Sequence, residues 1–370
     1  MTLTKKPEQD LATGILKITG EGSGVLGDPK RSFRAGPDDI LVGAGLIRKY
    51  SLVQGVKVTG PINRKGNQPH LIEIESICGL DPSEFAKRTP YTRLTAIDPC
   101  QRFDLSVSSD LSVRIIDFIA PIGKGTRGLI VSPPKAGKTT ILEQLANAIN
   151  KFDPETRIIM LLIDERPEEV THISRSVKAE VFASTKDQSA QEQVELANLL
   201  LANISIELEC GRDLVVLVDS LTRMGRAFNV NSANSGKTLS GGIDARALEI
   251  PRRFFGLARN IENGGSVTII ATALIDTGSR MDELIFQEFK GTGNSELILE
   301  RKLAEKRIFP AININESGTR KEEKLHSSDN ITAIYKIRRE LAELDPETAM
   351  ESLLQLIEQY PSNEELFNSI

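Results

Sequence analysis

"RGLIVSPPKAGKTTILEQLANAI", residues 127–149, decides how this chain folds. "RGLIV" is a short apolar run with β-branched residues, the composition of a buried strand. "TILEQLANAI" then repeats apolar residues at helical spacing, with Ile141, Leu142, Leu145, Ala148 and Ile149 on one face. Between them, "SPPKAGKTT" (132–140) follows the phosphate-loop pattern Gly-x-x-x-x-Gly-Lys-[Ser/Thr], except that Ser132 replaces the first glycine. Pro133 and Pro134 have no N–H to donate, but they precede the amides of Lys135, Ala136, Gly137, Lys138 and Thr139 that form the cradle. Their fixed φ therefore stiffens the approach to the loop. A Gly-Lys-Thr in an ordinary surface turn would lack both flanks. Strand, loop and helix in this order predict a nucleotide site: the helix N-terminus favours phosphate, Lys138 reaches the β and γ phosphates of ATP, and Thr139 holds Mg²⁺.

The chain has 370 residues, 39% hydrophobic and 26% charged, ordinary values for a globular protein of two or three domains. No apolar run approaches the roughly 20 residues that span a bilayer, "IIMLLI" (158–163) being core-strand length. No membrane partner is expected. The start, "MTLTKKPEQD", is polar and carries no signal-peptide segment. Cys78, Cys100 and Cys210 stand singly, which predicts neither a zinc cluster nor a disulfide framework and fits a reducing cytoplasm. Net charge is −5 overall, yet residues 1–80 carry 11 Lys and Arg against 8 Asp and Glu, a faint pointer to a polyanion partner.

Two bodies are predicted. After a polar tail (1–10), residues 11–82 hold short β-rich runs, "GILKIT", "DDILV", "VKVTGPI" and "HLIEIESI", separated by turn chemistry such as "AGPDD" and "RKGNQP". That pattern predicts a small all-β barrel of OB type. Residues 83–102, with Pro90 and Pro99, read as an extended connector. From 103 to 370, apolar strands "IIMLLID", "DLVVLVD" and "SVTIIATAL" alternate with helical stretches such as 189–203 and 244–261, predicting a doubly wound α/β domain. "LVVLVDS" (214–220) ends in Asp219, a carboxylate placed to hold the Mg²⁺ hydration shell. In "LLIDERPEEV" (161–170), Glu165 follows a strand end and reads equally as an attacking-water base or as part of an exposed acidic turn.

"SPPKAGKT", "LLIDERPEEVT", "FFGLARNIENGGSVTIIATALIDTGS", "EFKGTGN" and "AEKRIFPAI…SGTRKEE" together closely resemble the bacterial transcription termination factor Rho family, and "RAGPDDI" (34–40) extends the likeness into the barrel. The resemblance implies a hexameric, RNA-dependent ATPase and 5′-to-3′ RNA–DNA helicase with a RecA-like P-loop core and an OB or cold-shock-like RNA-binding barrel. It implies that Lys135 to Thr140 cradle phosphate, that Gly123, Lys124, Gly125, Thr126, Arg127 and Gly128 belong to the nucleotide pocket, and that Glu165 is the catalytic base. Arg166 resembles a gate at the subunit interface. Phe309, otherwise read as a core ring, resembles the adenine stack. Arg320, otherwise a solvated charge, resembles the arginine finger given to a neighbouring subunit.

For RNA in a central channel, the resemblance implicates "NVNSANSGKTLSGG" (229–242), with Lys237 and Thr238 at its tip, where composition alone reads a flexible loop. Arg280 and Lys290 resemble a second channel contact. In the barrel, the family's RNA surface falls on Gly22, Ser23, Gly24, Val25, Leu26 and Gly27 and on Asp39, Ile40 and Leu41. Here the chain departs: Ser23 and Val25 stand where stacking rings are expected, Gly27 replaces an arginine and Leu41 a tyrosine. Only Phe33 and Tyr50 are aromatic in residues 1–80. The family also commonly carries a further N-terminal helical domain, where this chain has its ten-residue tail. The reading is thus a Rho-type RNA translocase acting on nascent transcripts, with single-stranded RNA, copies of itself and RNA polymerase as expected partners. Two alternatives stay open: a divergent paralogue that modulates another Rho or acts on other nucleic acid, and an ATP-synthase-like or secretion ATPase.

Overall fold

The computed structural model describes residues 10–20, 22–64, 68–106, 108–232, 242–244 and 246–370. They fall into two compact units, Met1–Leu94 with Glu195–Arg212, and Thr95–Val194 with Asp213–Ile370. Strand–helix alternation gave no sign that residues 195–212 leave the second unit for the first.

In the first unit, β1 (Leu11–Ile18), β2 (Gly24–Gly27), β3 (Ile40–Val42), β4 (Lys57–Asn63) and β5 (His70–Leu71) form a ring in the order β1-β2-β3-β5-β4, which closes because β4 also pairs with β1. β3 and β5 run parallel and the other pairs antiparallel. Closure removes the unpaired edges a small sheet would otherwise expose. β6 (Ser76–Ile77) pairs with β4, and α1 (Ala44–Lys49) lies between β3 and β4 in the chain. This is the five-stranded OB barrel. Its strands alternate: Leu16, Leu26, Val42 and Leu71 are buried inside, while Lys17, Val25, Leu41 and His70 face outward. The end of the helix Ala190–Glu209 joins that core through Ile206, and Asn203 Nδ2 donates to Gly55 O at 2.9 Å. Gly55 has φ +85°, and a Cβ there would meet Asn203 N at 2.6 Å, so only glycine permits the approach.

The stretch expected to be an extended connector is more structured. α2 (Pro82–Phe85) starts at a proline, whose missing N–H costs nothing in a first helical turn, and Asp81 caps it by accepting from Ser83 N at 2.8 Å.

The second unit is built on β7 (Ala96–Ile97), β8 (Arg127–Ser132), β9 (Arg157–Glu165), β10 (Glu180–Thr185), β11 (Asp213–Asp219), β12 (Arg259–Ile261), β13 (Ser266–Leu274), β14 (Ser295–Ile298) and β15 (Gly318–Thr319). Six strands run parallel in the order β10-β9-β11-β13-β8-β14, with β15 antiparallel at one end and β12 linking β13 to β7. The helices are α3 (Leu111–Ile119), α4 (Lys138–Phe152), α5 (Pro167–Ser176), α6 (Ala190–Glu209), α7 (Leu221–Ser232), α8 (Glu249–Gly256), α9 (Arg280–Phe289), α10 (Arg301–Glu305), α11 (Ser328–Ala342), α12 (Pro346–Glu358) and α13 (Asn363–Asn368). α4 buries Ile141, Leu142, Leu145, Ala146 and Ile149 against a core that includes Ile130, Met160, Leu162 and Leu217. Ala148, expected on that face, is only half-buried and packs at its margin. The helix expected over 244–261 is realised only as α8, because Asn263 (φ 56°) turns the chain so that β12 folds back on β13.

Candidate active site

The parallel register brings four strand ends together. Ser132 at the end of β8 is level with Leu274 of β13, and Asp219 at the end of β11 is level with Leu162 of β9, so Glu165 lies three residues farther along its strand. A crevice at the carboxyl ends of such strands is where an α/β sheet binds its ligand. The phosphate loop turns through Lys135 (φ 67°) and Gly137 (φ 93°), and Gly137 is the N-cap residue just before α4. Among the described residues, the N–H groups of Lys135, Ala136 and Gly137 donate to no acceptor of the chain. They are the donors a phosphate needs.

Three polar side chains converge on Asp219, which is fully buried. Lys138 Nζ donates to its two oxygens at 2.7 and 2.6 Å, Thr139 Oγ1 to Oδ2 at 2.8 Å and Thr272 Oγ1 to Oδ1 at 3.0 Å. Burial works to raise the Asp219 pKa, but Lys138 and the hydroxyls outweigh it and hold the carboxyl ionised below its usual range. A carboxylate and a hydroxyl side by side are hard oxygen donors of the kind Mg²⁺ takes alongside water and phosphate. Among the described residues no group of three His, Cys, Asp or Glu side chains could hold a metal by itself, so the site suits an ion shared with a nucleotide.

Glu165 is different. It is only 2% exposed, its two oxygens accept no well-aligned hydrogen bond, yet Arg223 Nη1 is 2.8 Å and Lys138 Nζ 3.9 Å from Oε1. Burial, together with the nearby Glu169 and Asp219 carboxyls, pushes Glu165 up to about 7 against the pull of Arg223 and Lys138. A buried carboxylate flanked by an arginine yet titrating near neutrality has the properties of a general base. The preceding Asp164 has φ 57°, unusual for a residue with a side chain, and its carbonyl accepts from Arg223. Sequence reasoning missed Arg223; its only signal is an arginine four residues after Asp219. Arg166 caps α5, exposed, with Nη1 3.8 Å from Glu169.

Phe309 is no core ring. It is 46% exposed beside Gly137, on a cavity of about 260 Å³ that Ala136, Gly137, Thr140, Ile141 and Gln144 also line. Residues 123–128 go elsewhere. Gly123 to Thr126 precede β8, whose first residues are Arg127 and Gly128 and which carries the chain roughly 3.3 Å per residue from one end of the sheet to the other. Lys124 is spent on Asp213 at 2.7 Å and Asp153 at 3.0 Å, while Gly123 N and Gly125 N donate to Thr126 Oγ1 and Thr268 Oγ1. Within their own chain, Gly123 to Thr126, expected in the nucleotide pocket, thus lie at the end of β8 opposite the phosphate loop, with Arg127 and Gly128 beginning the strand. Arg320 lies at that end too. Its N–H donates to Asn294 O at 2.7 Å, and Asn294 Oδ1 accepts from the N–H of Arg127, the first residue of β8.

On the barrel, register aligns Lys17, Val25, Leu41 and His70 across β1, β2, β3 and β5. The outward row is thus aliphatic at Val25 and Leu41 and ends in an exposed imidazole that sequence reasoning passed over. Ser23 is half-buried, and Gly22 (φ 75°) precedes β2. Leu26 points inward, a Cβ on Gly24 would meet Leu16 Cδ1 at 2.7 Å, and Gly27, itself buried, lies against Phe33. Asp39, expected on the RNA surface, is buried instead: it accepts from Arg31 Nη2 at 2.6 Å and Gly36 N at 3.0 Å, fixing the turn before β3. Ile40 is half-buried beside it.

Two family models match: "ATP synthase alpha/beta family, nucleotide-binding domain" over residues 112–319, and "Rho termination factor, RNA-binding domain" over residues 12–83. The chain is 46% identical to the transcription termination factor Rho of Pseudomonas aeruginosa, over 99% of this chain and 89% of that one. This chain belongs to the Rho family. Rho of Cereibacter sphaeroides is 47% identical over 96% of this chain and 86% of its own, and Rho of Streptomyces lividans 49% over 91% and 49%. Among solved structures, a prototypical ATPase from the type III secretion system of pathogenic bacteria superposes with TM-score 0.63 at 24% identity, covering 76% of this chain and 87% of that one, a likeness of fold alone.

Of the four residues that the Rho resemblance assigns to RNA in a channel, Lys237 and Thr238 lie outside the described residues. Arg280 and Lys290 are exposed at opposite ends of α9, about 15 Å apart at 1.5 Å per residue, so they do not share one contact point. The loop before Arg280 is anchored: Thr277 Oγ1 donates to Asp282 Oδ2 at 2.6 Å, and Arg226 Nε to Asp282 Oδ1 at 2.7 Å. No helix among the described residues is long and apolar enough to cross a membrane.

Proposed function

We propose that this chain is an RNA-dependent ATPase of Rho type that moves along single-stranded RNA as a ring of its own copies, a homohexamer, and so facilitates transcription termination. ATP with Mg²⁺ would lie on the phosphate loop, its metal on Thr139 and Asp219, its β and γ phosphates on Lys138 and its base on Phe309. Glu165 takes the proton of the attacking water, which its raised pKa allows near neutral pH.

One observation carries the ring: Arg320 stands at the end of the strands opposite Lys138, Glu165 and Asp219, separated by the length of β8. A finger for the γ phosphate must therefore come from another copy, with Arg166 beside that junction. Changes at the junction then bias the segments bearing Lys237, Thr238, Arg280 and Lys290, which would hold RNA. A second reading, a paralogue that modulates another Rho, is favoured by the aliphatic row at Val25 and Leu41. The test is ATP turnover with and without RNA, in Lys138→Ala and Arg320→Ala chains alone and mixed. RNA stimulation, with partial recovery on mixing, is expected, since mixed rings contain some junctions with both good parts. Turnover indifferent to RNA would favour a protein-coupled ATPase; no recovery in mixed rings shown to form would refute the shared site.

A further inference from the structure

The catalytic reading uses none of the three cysteines, yet the fold brings two of them together. Cys78 closes the turn after β6 with φ 50°, is buried, and donates its N–H to Lys57 O at 2.8 Å. Cys210 follows the last residue of α6, half-buried, and packs on the barrel core to which Cys78 belongs. Their side chains meet in that cluster, each the foremost influence on the other's titration. The contact is braced: Arg212 Nη2 donates to Cys78 O at 3.2 Å, and Glu209 accepts from Arg88 Nε and from Tyr91 N, each at 3.0 Å. All these residues belong to the first unit, whereas the exposed Cys100 belongs to the second.

We propose that Cys78 and Cys210 form a reversible dithiol–disulfide site, oxidised by peroxide, that covalently joins the barrel to the end of α6. The two sulfurs have distinct roles. Cys210 is half-buried and open to peroxide, whereas Cys78 is buried, so Cys210 is the attacking sulfur and Cys78 the resolving one. The titration agrees: the neighbouring Cys78 holds the Cys210 pKa down, helped by Arg88 and opposed by burial, Glu207 and Glu209, while Cys210 and burial push Cys78 up. Cys210 sulfur attacks hydrogen peroxide, forming an S–O bond and breaking O–O, to leave a sulfenic acid and hydroxide. Cys78 sulfur then displaces the sulfenic oxygen, the S–S bond forms, and that oxygen leaves as water with the thiol proton. Two thiols are oxidised to one disulfide, and one peroxide becomes two waters. A small dithiol reverses the bond by exchange. Because the link joins segments distant in sequence, it restricts the unfolded chain and keeps residues 195–212 on the barrel.

The test treats the full-length chain with a modest excess of hydrogen peroxide, then alkylates, digests and maps its peptides. The expected result is a Cys78–Cys210 cross-linked peptide lighter by two hydrogens, abolished by dithiothreitol, with Cys100 still open to alkylation. The unfolding midpoint of the oxidised chain should rise by roughly 5 °C and fall back on reduction. Cys78→Ser should halt Cys210 at a sulfenic acid that dimedone traps, and Cys210→Ser should leave Cys78 reduced. Should either variant fail to fold, the unmutated peptide map decides. A Cys210 that passes to sulfinic acid while Cys78 stays free, or disulfides made only through Cys100, would overturn the proposal.

Discussion

Replacing Arg223 with Gln should move the pH dependence of ATP turnover and not merely lower it. Arg223 Nη1 lies 2.8 Å from Glu165 Oε1, with the arginine side chain 18% exposed. Two unit charges with centres about 4 Å apart at an effective dielectric near 20 interact by about 4 kcal/mol. At about 1.4 kcal/mol per pKa unit that sets a ceiling near three units. Arginine beside a carboxylate typically shifts it by about one to three units, and the exposure of Arg223 argues for the lower part, one to two. Glu165, at about 7 with Arg223 in place, should then titrate at roughly 8 to 9 without it. At pH 7.5 its ionised share would fall from about three-quarters to between a quarter and a few per cent, a loss of roughly 3- to 25-fold in kcat/KM.

The assay is initial phosphate release at subsaturating ATP and saturating RNA from pH 6 to 9.5, since kcat/KM reports the free enzyme's base. Activity of Arg223→Gln should recover toward the unmutated value as pH rises, which general structural damage would not allow. Arg223→Lys keeps the charge and should keep the apparent pKa near 7. Glu165→Gln should lose the pH-dependent limb and at least about a hundredfold in turnover. A uniform drop in Arg223→Gln at unchanged apparent pKa would refute the coupling.

Two further outcomes follow from groups outside the crevice. His326, its ring edge-on to Phe367 and both nitrogens unpartnered, is held down to about 4 from 6.5 by burial and by Arg102. The unfolded chain then binds the extra proton first, so stability present above about pH 6.5 is lost as pH falls toward 4, by up to about 3 kcal/mol; urea midpoints at pH 7 and 4.5 should converge in His326→Leu. On the barrel, RNA held mainly through phosphate should lose affinity with a log–log salt slope of about −0.7 per phosphate contacted. Ser23→Phe with Val25→Phe should add about 2–6 kcal/mol, and His70→Ala should weaken what stacking there is. Titration of labelled oligonucleotides decides this, and a strong, salt-insensitive preference for oligo-C in the unmutated chain would contradict it.

What the sequence made legible is what lies close along it. Lys138 and Thr139 belong to one loop, and Asp219 ends an unmistakable apolar strand, so their meeting at 2.6 to 2.8 Å could be anticipated from motif order alone. Five-stranded closure was legible in kind but not in pairing, since β3 meets β5 through a single aligned pair, Leu41 and His70. The contacts that sequence could not supply are those made across distant segments. Arg223 reaches Glu165 only because β11 lies beside β9, and Cys78 meets Cys210 only because the end of α6 folds onto the barrel. Residues 123–126 and the loop 133–140 are close in sequence yet lie at opposite ends of the strands, because β8 between them acts as a rigid spacer of about 20 Å. Arg320 and the loop are separated by the same strand. The spacer that removes Lys124 from the pocket of its own chain also keeps Arg320 away from it, which is why the proposed function takes its finger from another copy.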